Sequence, residues 1–212
     1  MIRRMALLHR AELRPTKLDL MAGWLPGRPW YRGHVDGLVR VASYRFDDPD
    51  GAVGVETTLV RVDAGPVYQI PLTYRGTALD GGDEWLIGTT EHSVLGRRWV
   101  YDACGDPVYA QVLAAAIAGG TGQADEFLEV DGRLELRARS MTVTGTGAGE
   151  VPAVGAVRRV GPDDPTLIAT DSVGLAVIRR LDGTAAVPDG PALTGTWPGQ
   201  SAPIPLAYLR GR

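Results

Sequence analysis

Few residues in this 212-residue chain carry reactive groups, and they are widely spaced. Glu91, His92 and Ser93 stand together, with Asp102 and Cys104 further along. An acid, a base and a hydroxyl of this kind could serve a hydrolase. A nucleophile must lie within hydrogen-bonding reach of its base, however, and adjacency in sequence does not establish that. No Gly-x-Ser-x-Gly elbow surrounds Ser93. A structural or surface role is therefore preferred and no catalytic residue is assigned, although His92 is the best-placed titratable group, close in sequence to Trp85, Trp99 and Tyr101. His9, His34 and His92 are scattered, and Cys104 is the only cysteine, which excludes a cysteine-rich zinc site and an internal disulfide. Asp47-Asp48-Pro49-Asp50-Gly51 lacks the twelve-residue calcium-loop pattern and reads as a hairpin tip. Gly145-Thr146-Gly147-Ala148-Gly149 is followed by Glu150-Val151-Pro152, not by the Lys-Ser/Thr and helix of a phosphate cradle, so it reads as a loop. Neither a metal nor a cofactor is expected.

The aromatic residues suggest a different chemistry. Sugar-binding surfaces stack rings on aromatic faces and bond hydroxyls with Arg, Asp and Glu. Trp30-Tyr31 between Arg28 and Arg32 has that character, as does the Trp99, Tyr101, Asp102 stretch behind Arg97-Arg98. The competing reading is that these rings fill a core and fix loops, and it is favoured. Arg75 is either a surface residue or the ion-pair partner of a nearby aspartate. The candidate ligand- or partner-binding set is thus Trp30, Tyr31, Arg75, His92, Trp99, Tyr101 and Asp102.

Composition is that of an ordinary globular chain, with 44% hydrophobic and 22% charged residues. A net charge of −3 argues against nucleic acid, which needs a clustered basic surface. Lys17 is the single lysine and asparagine is absent, a pattern of GC-rich codon bias and not of an arginine-based site. No apolar run is long enough to span a bilayer or to form a signal-peptide core, so no membrane association and a cytoplasmic location are expected.

The elements that must position these residues read as follows. Ala6 to Leu13 is an opening strand. Thr16 and Asp19 form a capping box for a helix whose apolar face is Leu18, Met21, Ala22 and Leu25, stopped by Pro26-Gly27. Strands follow near 37–47, 52–62 and 66–75, separated by turn residues, with a less regular stretch over 84–94. Asp106-Pro107 opens a second helix that presents Tyr109, Val112, Leu113, Ala116 and Ile117 on one face and stops at Gly119-Gly120. Strands are then expected near 126–130, 133–145, 154–160, 166–171, 174–181 and 203–209, with 144–149 and 183–191 as loops. Gln69–Arg75 and Ile204–Arg210 look alike without forming a repeat, and each reads as a strand with a proline at an edge or bulge.

These elements sum to an α+β fold. A curved antiparallel sheet carries the N-terminal helix, a second helix lies near 107–118, and a mostly β portion follows. Two regions, 1–119 and 120–212, are expected to pack as one unit.

In this order, the helix, the Arg28-Pro29-Trp30-Tyr31-Arg32-Gly33 loop, the three-strand meander with Tyr68–Arg75, and Tyr101-Asp102 followed by Asp106-Pro107 and Ala110 resemble the N-terminal cap of maltokinases and related actinobacterial aminosugar kinases. Trp30, Tyr31 and Gly33 match the cap's aromatic segment, whose terminal lysine is absent here. The resemblance covers roughly 6–119, an ordinary domain size.

In such kinases a phosphate-binding lysine lies on a strand resembling K-x-F-R-R-L. The nearest segment here is Ala176-Val177-Ile178-Arg179-Arg180-Leu181, with alanine at the lysine position. No catalytic-loop motif follows, and only about thirty residues remain. The resemblance therefore implies a cap joined to a degenerate kinase N-lobe fragment that is not itself an enzyme.

Its expected role is that of a binding or regulatory partner in α-glucan, maltose or trehalose metabolism. A sugar-metabolic enzyme, or the kinase module itself, is the expected partner. An oligosaccharide-binding module and an enzyme of unfamiliar design centred on His92, Glu91 and Asp102 stand as alternatives. Exposed strand edges in a β-rich chain also suggest a homodimer.

Overall fold

The computed structural model describes residues 6–8, 12–130, 133–183 and 189–211. Among these, fifteen strands form three sheets and two α-helices pack on them, an α+β architecture.

The opening strand expected over 6–13 is divided. β1 (Ala6–Leu8) joins a small sheet, whereas β2 (Leu13–Arg14) edges the first large one; residues 9–11, including His9, lie outside the described residues.

Helix α1 (Lys17–Trp24) begins as its sequence directs. Thr16 accepts from the Asp19 backbone N–H, and the Asp19 carboxylate accepts from the Thr16 N–H at 2.9 Å. A 3-10 turn over Leu25–Gly27 ends it, with Pro26 unable to continue the ladder.

β3 (Val39–Phe46), β4 (Gly54–Arg61) and β5 (Tyr68–Arg75) form the expected meander. β6 (Leu86–His92) and β7 (Gly96–Asp102) complete an antiparallel sheet of order β2-β6-β7-β5-β4-β3. The stretch read over 84–94 is a 3-10 turn followed by β6. β7 escaped sequence reading because Arg97 and Arg98 interrupt its apolar alternation, yet it sits between β5 and β6. Pro71 is tolerated in β5 because the β7 ladder starts only at Leu72.

Period-2 alternation gives the first sheet two apolar faces. Val60, Ile70, Leu72 and Val100 pack under Met21 and Leu25 of the α1 region. Ala42, Tyr44, Val55 and Leu59 face the other way, towards α2 (Pro107–Ala118) and the second large sheet.

Asp106 caps α2, its carboxylate accepting from the Val108 N–H at 3.0 Å. This helix is not limited to the single apolar face expected of it: Ala110, Ala114 and Ala118 are buried too, because α2 is covered from both sides. Small side chains at those positions let the layers approach.

After α2 come β8 (Glu126–Val130) and β9 (Arg133–Leu136), a hairpin that joins β1 in a three-stranded sheet in which β1 runs parallel to β8. β10 (Thr142–Gly145), β11 (Val157–Val160), β12 (Thr166–Thr170), β13 (Gly174–Val177), β14 (Ala192–Trp197) and β15 (Gln200–Arg210) form the second antiparallel sheet, of order β10-β14-β15-β13-β12-β11.

The strand expected over 133–145 thus splits between two sheets, because the intervening Ser140 bonds to the main chain of Ser43 at the β3 edge. β14 was not anticipated. The strand expected over 174–181 stops at Val177, and Ile178–Leu181 leaves to run beside the start of β5: Gln69 N donates to Arg179 O at 2.7 Å and Leu181 N to Val67 O at 2.8 Å. Pro205 lies beside a register shift in the β14–β15 ladder, as a bulge allows.

One hydrophobic cluster runs from Ala42 through α2 to Tyr208, so both sides of residue 119 contribute to a shared core. No helix of the described residues is long and apolar enough to cross a membrane.

Candidate functional site

The densest polar chemistry lies where the two large sheets meet. β7 ends at Asp102, whose carboxylate caps the following 3-10 turn by accepting from Cys104 N at 3.3 Å. Arg179, just beyond β13, reaches it across the core: its Nη2 lies 3.0 and 2.7 Å from the two carboxylate oxygens and 3.1 Å from Cys104 Sγ. Arg179 Nε donates to Thr166 Oγ1 at 2.9 Å, and the guanidinium lies over the Trp30 ring at 4.9 Å. Both partners are almost fully buried, with side chains 1% and 6% exposed. Burial disfavours the Arg179 charge, but the Asp102 carboxylate, with Cys104 and Tyr109 adding to it, outweighs that, so the guanidinium is held more firmly protonated than usual. Burial raises the Cys104 thiol well above its ordinary value against the pull of Arg179, leaving a neutral thiol and no nucleophile.

Beside this pair, Gln69 bridges the same junction. Its Nε2 donates to Ile178 O at 2.8 Å and Leu206 O at 2.9 Å, and its Oε1 accepts from Tyr44 OH at 3.2 Å. Tyr109 OH and Arg179 Nη1 are buried here without hydrogen-bond partners.

The anticipated residues divide among this junction and other places. Trp30 and Tyr31 are buried, 8% and 7% exposed, in an aromatic group with Trp24 and Tyr68: Trp24–Trp30 is edge-on at 5.8 Å and Tyr31–Tyr68 is tilted at 4.8 Å. Tyr31 OH donates to His34 O at 2.6 Å, which fixes the loop. Trp30 and Asp102 meet through Arg179. Arg75 forms a bidentate pair with Asp106, both bonds 2.7 Å, so the helix cap is also an ion-pair partner. Trp99 is half-buried and lies opposite Arg75 in the β5–β7 ladder. Tyr101 is buried, its OH accepting from Leu79 N at 2.9 Å. His92 stands apart in the β6–β7 turn, where Nδ1 accepts from the N–H groups of Val94 at 3.2 Å and Leu95 at 3.1 Å.

Arg179 and Gln69 are not among the residues the sequence singles out, while Cys104 enters there only beside the hydrolase set and Asp106 only as a helix start. A charge within the apolar run Ala176–Leu181 was the only local signal, because the partners are 77 residues apart.

The other motifs have internal roles. Among the described residues no three His, Cys, Asp or Glu side chains cluster as metal ligands would. Asp48 accepts from Asp50, Ala52 and Val53 N–H groups, locking the β3–β4 hairpin tip.

The glycine-rich segment closes the C-terminus of α2: Gly147 N donates to Ile117 O and Gly149 N to Ala118 O, both at 3.0 Å. Its N–H groups therefore meet helix carbonyls, leaving none of those two for a phosphate. A Cβ on Gly145 would sit 1.9 Å from Ala116 O. Gly145→Ala is expected to cost about 1–3 kcal/mol by pushing β10 off the helix, measured by urea denaturation. An unchanged midpoint would refute that contact.

On the α1 side, the buried Glu56 carboxylate bonds Lys17 Nζ and lies 4.0 Å from Arg45 Nη1. Burial raises its pKa, yet Lys17 and Arg45 together outweigh that and hold it below its ordinary 4.5. A depressed carboxylate pKa stabilises the fold above the unfolded value and ceases to do so as pH falls through the folded one. Glu56→Gln is therefore expected to be destabilising at pH 7, with the deficit shrinking as pH drops below 4.5, as read from urea midpoints across that range. A deficit independent of pH would contradict this.

The fold and junction define an α+β protein in which a helix-backed antiparallel sheet is locked to a second sheet by buried polar bonds. Residues 24–106, from the end of α1 to the aspartate that caps α2, match the family model of the maltokinase N-terminal cap domain. No curated protein matches the chain.

Proposed function

We propose that this chain is a non-catalytic cap-type protein that binds or regulates a partner enzyme of α-glucan, maltose or trehalose metabolism, the kinase module itself being the first candidate. The observation that carries this reading is that a cap-family sheet uses its reactive groups internally. Asp102 holds Arg179, Asp106 holds Arg75, the Tyr101 hydroxyl holds Leu79 N, and His92 Nδ1 holds its own turn. Ala176, which the kinase resemblance sets at the lysine position, is buried in β13 with β12 and β15 paired on either side, and its methyl group offers phosphates no charge.

Two measurements test the reading. The immobilised full chain is expected to retain a sugar-metabolic enzyme from lysate of its source organism, and the chain alone is expected to transfer no phosphate from ATP to maltose. Repeated recovery without any such enzyme, or turnover by the purified chain, would defeat it.

A further inference from the structure

Among the described residues, the three-stranded sheet β1-β8-β9 leaves one long side of β9 open. In the β8–β9 ladder Phe127 lies opposite Leu136, Leu128 opposite Glu135 and Val130 opposite Arg133. Arg137 N donates to Glu126 O at 2.8 Å, so Arg133, Glu135 and Arg137 turn their main-chain groups inwards to β8. By alternation, Leu134 and Leu136 direct theirs outwards, where no strand of the described residues pairs with β9. Leu134 and Leu136 are also 46% and 61% exposed, and directly opposed residues share a face, so they form an apolar strip with the half-buried Phe127.

We propose that β9 pairs antiparallel with β9 of a second copy, giving a two-fold dimer through a continuous six-stranded sheet. The charge pattern selects both the occupant and the register. With the two-fold axis at Leu134, its outward N–H and C=O exchange two bonds with those of the other Leu134. Arg133 of each chain then lies opposite Glu135 of the other, twice over. An axis at Glu135 would instead set Glu135 against Glu135 and Arg133 against Arg137, and like charges directly opposed are destabilising. An axis at Leu136 would set Arg133 against Arg139 and use Arg137, which is already bonded to Glu126 at 3.0 Å. A second copy thus meets a complementary edge only in the first register, and the Phe127, Leu134, Leu136 strips of both chains join on one face.

Light scattering with size-exclusion chromatography on the intact 22.6 kDa chain is expected to show twice that mass. Arg133→Glu or Glu135→Arg is expected to weaken the dimer by about tenfold, and the double reversal to restore it. Leu134→Cys is expected to give a covalent dimer on mild oxidation, since hydrogen-bonded partners stand within disulfide reach, whereas Glu135→Cys is expected not to. The buried Cys104 does not compete. A monomer at all concentrations overturns the proposal. So does a dimer indifferent to both single reversals, or one that cross-links through residue 135 and not 134.

Discussion

Replacing Arg179 by methionine is expected to lower the free energy of unfolding by about 3–5 kcal/mol, the cost of stripping a buried charge of its partner. Asp102, 4% exposed in the parent, would keep Cys104 beside it but lose its counter-charge, while Thr166 Oγ1 would lose its donor. The paired variant Arg179→Met with Asp102→Leu is expected to recover most of the loss, because neither charge then has to be desolvated. Urea unfolding followed by tryptophan fluorescence measures both, Trp30 lying against the guanidinium. Cys104 supplies an independent probe: it is fully buried beside the pair, and its labelling by a thiol reagent should accelerate in the single variant and slow again in the double one. A single variant within about 1 kcal/mol of the parent would mean that the pair does not hold the sheets together.

Gln69→Ala is the second large effect, expected at about 2–6 kcal/mol because it strands two or more buried polar groups at once. Tyr44 OH and Ile178 O would each lose the bond that Gln69 provides, while Leu206 O would keep the Ile178 N–H at 2.9 Å. Thermal unfolding should register this as a fall of about 2–4 °C per kcal/mol for a chain of this length. Gln69→Glu is expected to be no rescue, since a carboxylate would face two carbonyl oxygens. A Gln69→Ala protein melting with the parent would show that the junction depends on apolar packing alone.

The two variants probe one arrangement from opposite sides. Arg179 ties β7 to the segment after β13, and Gln69 ties β5 to the same segment and to β15. The cap sheet therefore does not stand alone in this molecule. A partner engaging it meets a surface whose aromatic loop is already packed against the second sheet through Trp30 and Arg179.

Local chemistry was legible wherever its determinants lie within a few residues of one another. Thr16 and Asp19 specify the start of α1, Asp106 and Pro107 that of α2, and turn residues mark off the β3-β4-β5 meander. The resemblance to maltokinase caps was readable for the same reason: it rests on the aromatic segment and on motifs within single elements, and the matched span of 24–106 lies inside the region those motifs outlined.

What the sequence by itself determined, then, is the resemblance to the cap over its first half and the nature of the local elements. Only the tertiary structure decided which sheet each strand joins and which polar groups are engaged. β9 and β10, expected as one strand, part company because Ser140 is drawn to the β3 edge. Arg75 could be an exposed charge or an ion-pair partner until Asp106 is placed beside it, and Trp30 a sugar platform or core until Arg179 covers its ring. The physical reason is one of range: helix caps and turns are made by neighbours whose types suffice, whereas the desolvation and pairing of Asp102, Gln69 and Arg179 depend on groups that only folding brings within bonding distance.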